Sequence, residues 1–179
     1  MTIAVFLSCS AGVSPMFLSE MELLGEGLAQ DGFDVLYGGV NTGCMGALAR
    51  GVLRSRGKLI GVLSQQEIAL GMVQQGLSEQ HVAATLSERK GLMIAMADAY
   101  VVCPGGLGTL DEALEVMTLK SLGSLQKPIY FYNFLGVWSG FLESLTLLVE
   151  SRLIRQPLSE LAVVLDNHTE LRENLKHAF

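Results

Sequence analysis

Residues 99–122 read Ala99-Tyr100-Val101-Val102-Cys103-Pro104-Gly105-Gly106-Leu107-Gly108-Thr109-Leu110-Asp111-Glu112, continuing through Glu115 to Leu122. Ala99 to Cys103 is an unbroken apolar run of strand length, which predicts a strand covered on both faces. Pro104, Gly105 and Gly106 end the run, and Thr109 to Leu122 carries helical apolar spacing. Strand, glycine turn and helix in direct succession form part of a βαβ unit.

The same alternation extends outward. Strands are predicted at Ile3–Leu7, Asp34–Tyr37, Lys58–Leu63, Ile129–Tyr132 and Leu161–Leu165, and helices at Met16–Gln30, Gly43–Arg56, Thr85–Ala97, Gly136–Glu150 and Asn167–His177. The segment Gln65 to Ala84 is less regular and is expected to hold a short helix near Gln66–Gln75. The pattern implies an α/β fold with a parallel sheet between two helical layers. With no repeat, low-complexity tract or linker, residues 1–179 are expected to form one domain.

Composition narrows the function. The net charge of -6, without a Lys/Arg block, offers no footprint for nucleic acid. Half of the residues are hydrophobic and mean hydropathy is +0.41, but the longest uncharged run, Met1 to Ser19, contains Ser8, Ser10, Gly12, Ser14 and Pro15 and lacks a basic start, so neither a signal peptide nor a membrane span is expected. Cys9, Cys44 and Cys103, with no CxxC pair, suit reduced thiols and a cytoplasmic location. His81, His168 and His177 are scattered, so no metal site is expected.

Seven of the 20 glycines fall in two clusters, Gly38, Gly39, Gly43, Gly46 and Gly105, Gly106, Gly108, each between a predicted strand and a helix start. Such loops either make tight turns or bring backbone N–H groups and a helix N-terminus up to an anion. Two clusters at strand carboxyl ends favour the second, because open α/β sheets bind ligands along that edge. The Walker pattern fails, since Gly43 is followed by Cys44 and Met45, and so does the dinucleotide fingerprint, since Leu7-Ser8-Cys9-Ser10-Ala11-Gly12 lacks GxGxxG.

Three carboxylates, Asp111, Glu112 and Glu115, crowd the start of one helix. Favourable interaction with the helix dipole suffices for Asp111. Glu112 lies about 60° around the helix from Thr109, between the apolar stripe and the loop mouth, where a carboxylate would repel phosphate unless it addresses another part of the ligand. Thr109 can bind phosphate, leaving Glu112 for chemistry. In the preceding helix, Leu86, Leu92, Met93 and Met96 define an apolar arc about 120° wide with Arg89 at its centre. An arginine there either snorkels over a core edge beside Glu88 or receives an anion. Lys90 reads as solvated, Cys103 as a buried core thiol and Asp98 as a turn residue, while Ser8 and Ser10 either make a turn or touch ligand.

Arg89-Lys90, Asp98-Ala99 and Pro104-Gly105-Gly106-Leu107-Gly108-Thr109-Leu110-Asp111-Glu112 together resemble the LOG (lonely guy) family of nucleoside 5′-monophosphate phosphoribohydrolases, formerly labelled lysine decarboxylases. Tyr37-Gly38-Gly39 with Gly43, Met45 and Gly46 is similar to that family's other glycine loop, and the likeness runs from about Ile3 to about Ile154. The resemblance implies a Rossmann-like, doubly wound sheet with three α/β/α layers, a homodimer with its site near the subunit interface, and no cofactor. The activity implied is hydrolysis of the N-glycosidic bond of a purine nucleotide, either a cytokinin riboside monophosphate or AMP. The family's essential pair maps onto Arg89 and Glu112. Ser8, Gly39, Gly43, Gly105, Gly106, Gly108 and Thr109 are the expected substrate contacts, with Glu115 on the ribose. The decarboxylase label would need a Schiff-base lysine and pyridoxal phosphate, for which the residues give no argument. This sequence departs from the family pattern at Ser8, Val40, Leu86-Ser87 and Leu119-Lys120-Ser121. Those departures keep a second possibility in play, a nucleotide-binding or cofactor-carrying protein of the same fold without turnover.

Overall fold

The computed structural model describes all of residues 1–179. Seven parallel strands, β1 (Thr2–Phe6), β2 (Asp34–Tyr37), β3 (Leu59–Ser64), β4 (Glu79–Ala83), β5 (Ala99–Val102), β6 (Ile129–Tyr132) and β7 (Val163–Leu165), form one sheet in the order β4-β3-β2-β1-β5-β6-β7. The chain winds outward from β1 in one direction and then, from β5, in the other. Val5 pairs with Val101 and Phe6 with Val102, so the carboxyl ends of β1 and β5 lie side by side where the winding reverses. Doubly wound sheets open a ligand crevice at that switch point.

Alternation along the strands explains the two helical layers. Ile3, Val5 and Leu7 face a core with Met21, Leu24 and Leu28 of α1 (Pro15–Gln30), Leu48 and Val52 of α2 (Gly43–Arg54), and Leu171 and Leu175 of α8 (His168–His177). Ala4 and Phe6 face the opposite core with Met93 of α4 (Leu86–Met96), Val116 of α5 (Leu107–Ser121) and Leu142 and Leu145 of α6 (Ser139–Glu150). The three-layer α/β/α architecture is the expected one. No helix is long and apolar enough to cross a membrane.

The departures from expectation lie at the edges of the sheet. β4 was not predicted: Glu79-Gln80-His81-Val82-Ala83 is polar and mostly exposed because an edge strand has only one covered side. The short helix is α3 (Gln65–Ala69), fixed by a capping box at Ser64, and ends before the expected Gln75. At the other edge β7 begins at Val163, because Leu158–Leu161 turns into a short helix, α7. A 3-10 turn at Phe134–Gly136 delays α6 to Ser139.

Small residues set the approach of α1 to α2. A Cβ on Gly51 would lie 2.0 Å from the Glu22 carbonyl oxygen and 2.7 Å from the Glu26 nitrogen, both backbone atoms that no side-chain rotation can move. Gly51→Ala is therefore expected to destabilise the protein by about 1–3 kcal/mol, through forced separation of the two helices. Urea unfolding checks this: the midpoint falls while the slope is unchanged.

Candidate active site

The carboxyl end of β1 leads into Ser8, Cys9 and Ser10, and the carboxyl end of β5 leads through Pro104 into α5. The Ser8 N–H donates to the Pro104 carbonyl at 3.2 Å, tying the two loops together at the switch point. Between them opens a cavity of about 240 Å³, walled by these loops, the start of α5, the first turns of α4, and Glu67 of α3.

The start of α5 faces this cavity with no side-chain cap. Its first intrahelical bond runs from Leu110 N–H to the Gly106 carbonyl, so the N–H groups of Leu107, Gly108 and Thr109 precede any intrahelical acceptor. A Cβ at Gly106 or Gly108 would meet nothing within 4 Å, so backbone at both positions is open to an approaching anion. Thr109 is buried against Gly105, where a Cβ would fall 2.0 Å from the Thr109 hydroxyl oxygen.

One turn further along α5, Glu112 is only 7% exposed, and it faces Arg89, which is 8% exposed. The guanidinium is gripped by backbone: its Nε–H donates to the Val62 carbonyl of β3 at 2.8 Å, and Nη2 to the Gly38 carbonyl after β2 at 3.4 Å. Gly38 has to be glycine for this approach, since a Cβ there would stand 2.3 Å from Nη2. Nη1 lies 3.7 Å from Glu112 Oε1, an ion pair without hydrogen-bond contact. Burial raises the Glu112 carboxyl to about 7 against the partial opposition of Arg89. A carboxyl that titrates near neutrality, in a cavity, is suited to proton exchange with a reactant.

The family model described as "Possible lysine decarboxylase", the description long attached to LOG proteins, matches residues 45–175. The chain belongs to this family. The cytokinin riboside 5'-monophosphate phosphoribohydrolase of Rhodococcoides fascians is 34% identical over 74% of this chain and 67% of its own length. The Arabidopsis thaliana enzyme of the same name, LOG7, is 30% identical over 97% of this chain and 80% of its own. Among solved structures, the molybdenum cofactor carrier protein of Chlamydomonas reinhardtii superposes with a TM-score of 0.76 over 99% of this chain and 96% of that one, at 20% identity, a likeness of fold.

Within this cavity the residues expected from sequence divide. Arg89, Glu112, Ser8, Gly106, Gly108 and Thr109 line the cavity together. Gly39, Gly43, Gly105 and Glu115 do not. Gly39 and Gly43 have positive φ and pack, respectively, against the Leu63 side chain and the Cys9–Ser10 backbone. The Met45 N–H is taken by the Ser8 carbonyl, and from the start of α2 Met45 alone reaches the cavity wall, whereas α5 brings Gly106, Leu107, Gly108 and Thr109 to it.

Lys90, read from sequence as solvated, instead forms ion pairs with Asp111 at 2.9 Å and Glu115 at 2.8 Å. These bonds, Glu115 first, raise its proton affinity, whereas an amine that forms a Schiff base needs it lowered. Asp98 accepts the Thr2 N–H at 2.8 Å, fastening the start of β1. Burial pushes the Cys103 thiol up, away from a thiolate. Glu67 is the cavity carboxylate that the sequence reading missed; the spacing Ser64-Gln65-Gln66-Glu67 marks a helix start but not that the start faces the cavity.

Because the folded state holds the Glu112 proton up to about pH 7 while an unfolded carboxyl releases it near 4.5, stability conferred at this position falls as pH rises between those values. Glu112→Gln is expected to gain on the parent chain by roughly 2–3 kcal/mol in unfolding free energy between pH 5 and pH 8. Chemical unfolding of both proteins at the two pH values measures it; a pH-independent difference would contradict the assignment.

Proposed function

We propose that the chain hydrolyses the N-glycosidic bond of a purine nucleoside 5′-monophosphate, of adenine or cytokinin type, to free base and ribose 5-phosphate. The observation that carries this reading is the nearly buried Arg89–Glu112 pair one helical turn from an uncapped, open helix start. The names of the relatives support the same chemistry.

The phosphate sits on the N–H groups of Leu107, Gly108 and Thr109, with Ser8 at its side, where helix dipole and unpaired donors favour an anion. The sugar then extends along α5 toward Glu112. Breaking the C1′–N bond leaves oxocarbenium character on the ribose, which the ionised Glu112 carboxylate stabilises. The same carboxylate takes a proton from water as its oxygen bonds to C1′. The electron pair of the broken bond passes to the base, which takes a proton from solvent while Glu112 returns to solvent the one it took from water, and Nη1 of Arg89 offsets the negative charge that develops on the base.

Incubation with AMP and isopentenyladenosine monophosphate, followed by chromatography, is expected to show free base and ribose 5-phosphate in equal amounts. Glu112→Ala and Arg89→Ala are each expected to lower kcat about 10²–10⁴-fold. A carrier without turnover would release no base, and its nucleotide binding would survive Glu112→Ala.

The assembly that fits this reading is a homodimer, and the proposed location is the cytoplasm, in keeping with three free cysteines. Leu86 and Leu107 line the cavity yet are 67% and 86% exposed, and Leu114 and Leu122 continue the exposed apolar row along α5. A second copy covering this row would also narrow the cavity mouth. Light scattering is expected to give twice the chain mass, reduced to one chain mass by Leu114→Glu; a monomeric parent chain would contradict the proposal.

A further inference from the structure

Glu67 stands on the other side of the Arg89 guanidinium from Glu112. Its Oε1 lies 3.8 Å from Nη2, while Glu112 Oε1 lies 3.7 Å from Nη1. Neither carboxylate is within hydrogen-bond distance, and the guanidinium cannot swing toward either one because Val62 and Gly38 hold it from behind. Glu67 is itself fixed: Oε2 accepts the Ser64 N–H at 2.7 Å, and the Ser64 hydroxyl accepts the Glu67 N–H at 3.3 Å. Val62, which grips Arg89, and Ser64, which grips Glu67, are two residues apart at the end of β3. One strand end therefore sets the distance between the cation and its second anion.

Resting on the proposed hydrolysis, we propose that Glu67 is a positioning residue: it shares the immobilised Arg89 charge with Glu112, so that the Glu112 carboxylate is left only partly paired and free to take a proton from the attacking water. The other charges around Glu112 also act on it, Asp111 raising its carboxyl and Lys90 lowering it, but they are paired with one another. Lys90 on α4 pairs with Asp111 and Glu115, which flank Glu112 on α5. Three charged groups remain facing one another, Arg89 from α4, Glu67 from α3 and Glu112 from α5, with one positive charge against two carboxyls. Of the two carboxyls, Glu112 is the drier, with its side chain 8% exposed against 22% for Glu67, so the proton that relieves the excess resides on Glu112. The Glu67 charge contributes in that direction to the raised Glu112 carboxyl, after burial and Asp111.

Glu67→Gln tests this while keeping the capping box, since a glutamine carbonyl accepts the Ser64 N–H as the carboxylate does. In protein labelled with ¹³C at the glutamate carboxyl, with the Glu112 signal assigned through Glu112→Gln, the Glu112 titration midpoint is expected to fall in Glu67→Gln. The acid limb of kcat/KM for AMP is expected to move by the same amount, with KM changed less than threefold. An unmoved midpoint overturns the proposal, whatever the activity. A shifted midpoint in a chain that releases no base upholds the electrostatic role of Glu67 and overturns the hydrolytic reading instead.

Discussion

A guanidinium held by two backbone carbonyls, with carboxylates near it but not touching, is the constraint around which the site is built. Removing a charge from water costs several kcal/mol unless hydrogen bonds and counter-charge replace the lost solvation. For Arg89 the hydrogen bonds come from Val62 and Gly38, carbonyls at the ends of adjacent parallel strands. A parallel sheet brings such ends to one edge, and only a glycine at position 38 leaves room for the side chain to reach them. The guanidinium is then held in place before any ligand arrives.

The same edge sets the division of labour along α5. Its first turn is open backbone, suited to an anion, and its second turn carries carboxylates that would repel one. Lys90 resolves the conflict by pairing with Asp111 and Glu115, leaving Glu112 to face Arg89. Phosphate affinity and glycosidic chemistry can thus occupy consecutive turns of one helix. Burial, with smaller contributions from Asp111 and Glu67, brings the Glu112 proton into the neutral range against the opposing pull of Arg89 and Lys90.

Much of this was legible in the chain. Apolar runs identified six of the seven strands, and the Arg89 position inside an apolar arc singled that arginine out but left open whether it snorkels at a core edge or faces an anion, because the arc does not show what lies across from it. β4 was hidden because an edge strand buries one side and keeps a polar sequence. The glycines were legible as a location but not as separate roles: Gly106 and Gly108 are open, whereas Gly39, Gly43 and Gly105 make room for Leu63, the Cys9–Ser10 backbone and Thr109. That difference depends on contacts between segments far apart in sequence. Lys90 and Glu67 were missed for the same reason, since their partners lie on other elements.

The most direct test is a crystal structure with ribose 5-phosphate bound. The phosphate is expected within hydrogen-bond distance of the Leu107, Gly108 and Thr109 N–H groups, with the anomeric carbon turned toward the Glu112 carboxyl and Nη1 of Arg89. A phosphate seated on Lys90, or an anomeric carbon pointing away from Glu112, would contradict the assignment of roles along α5.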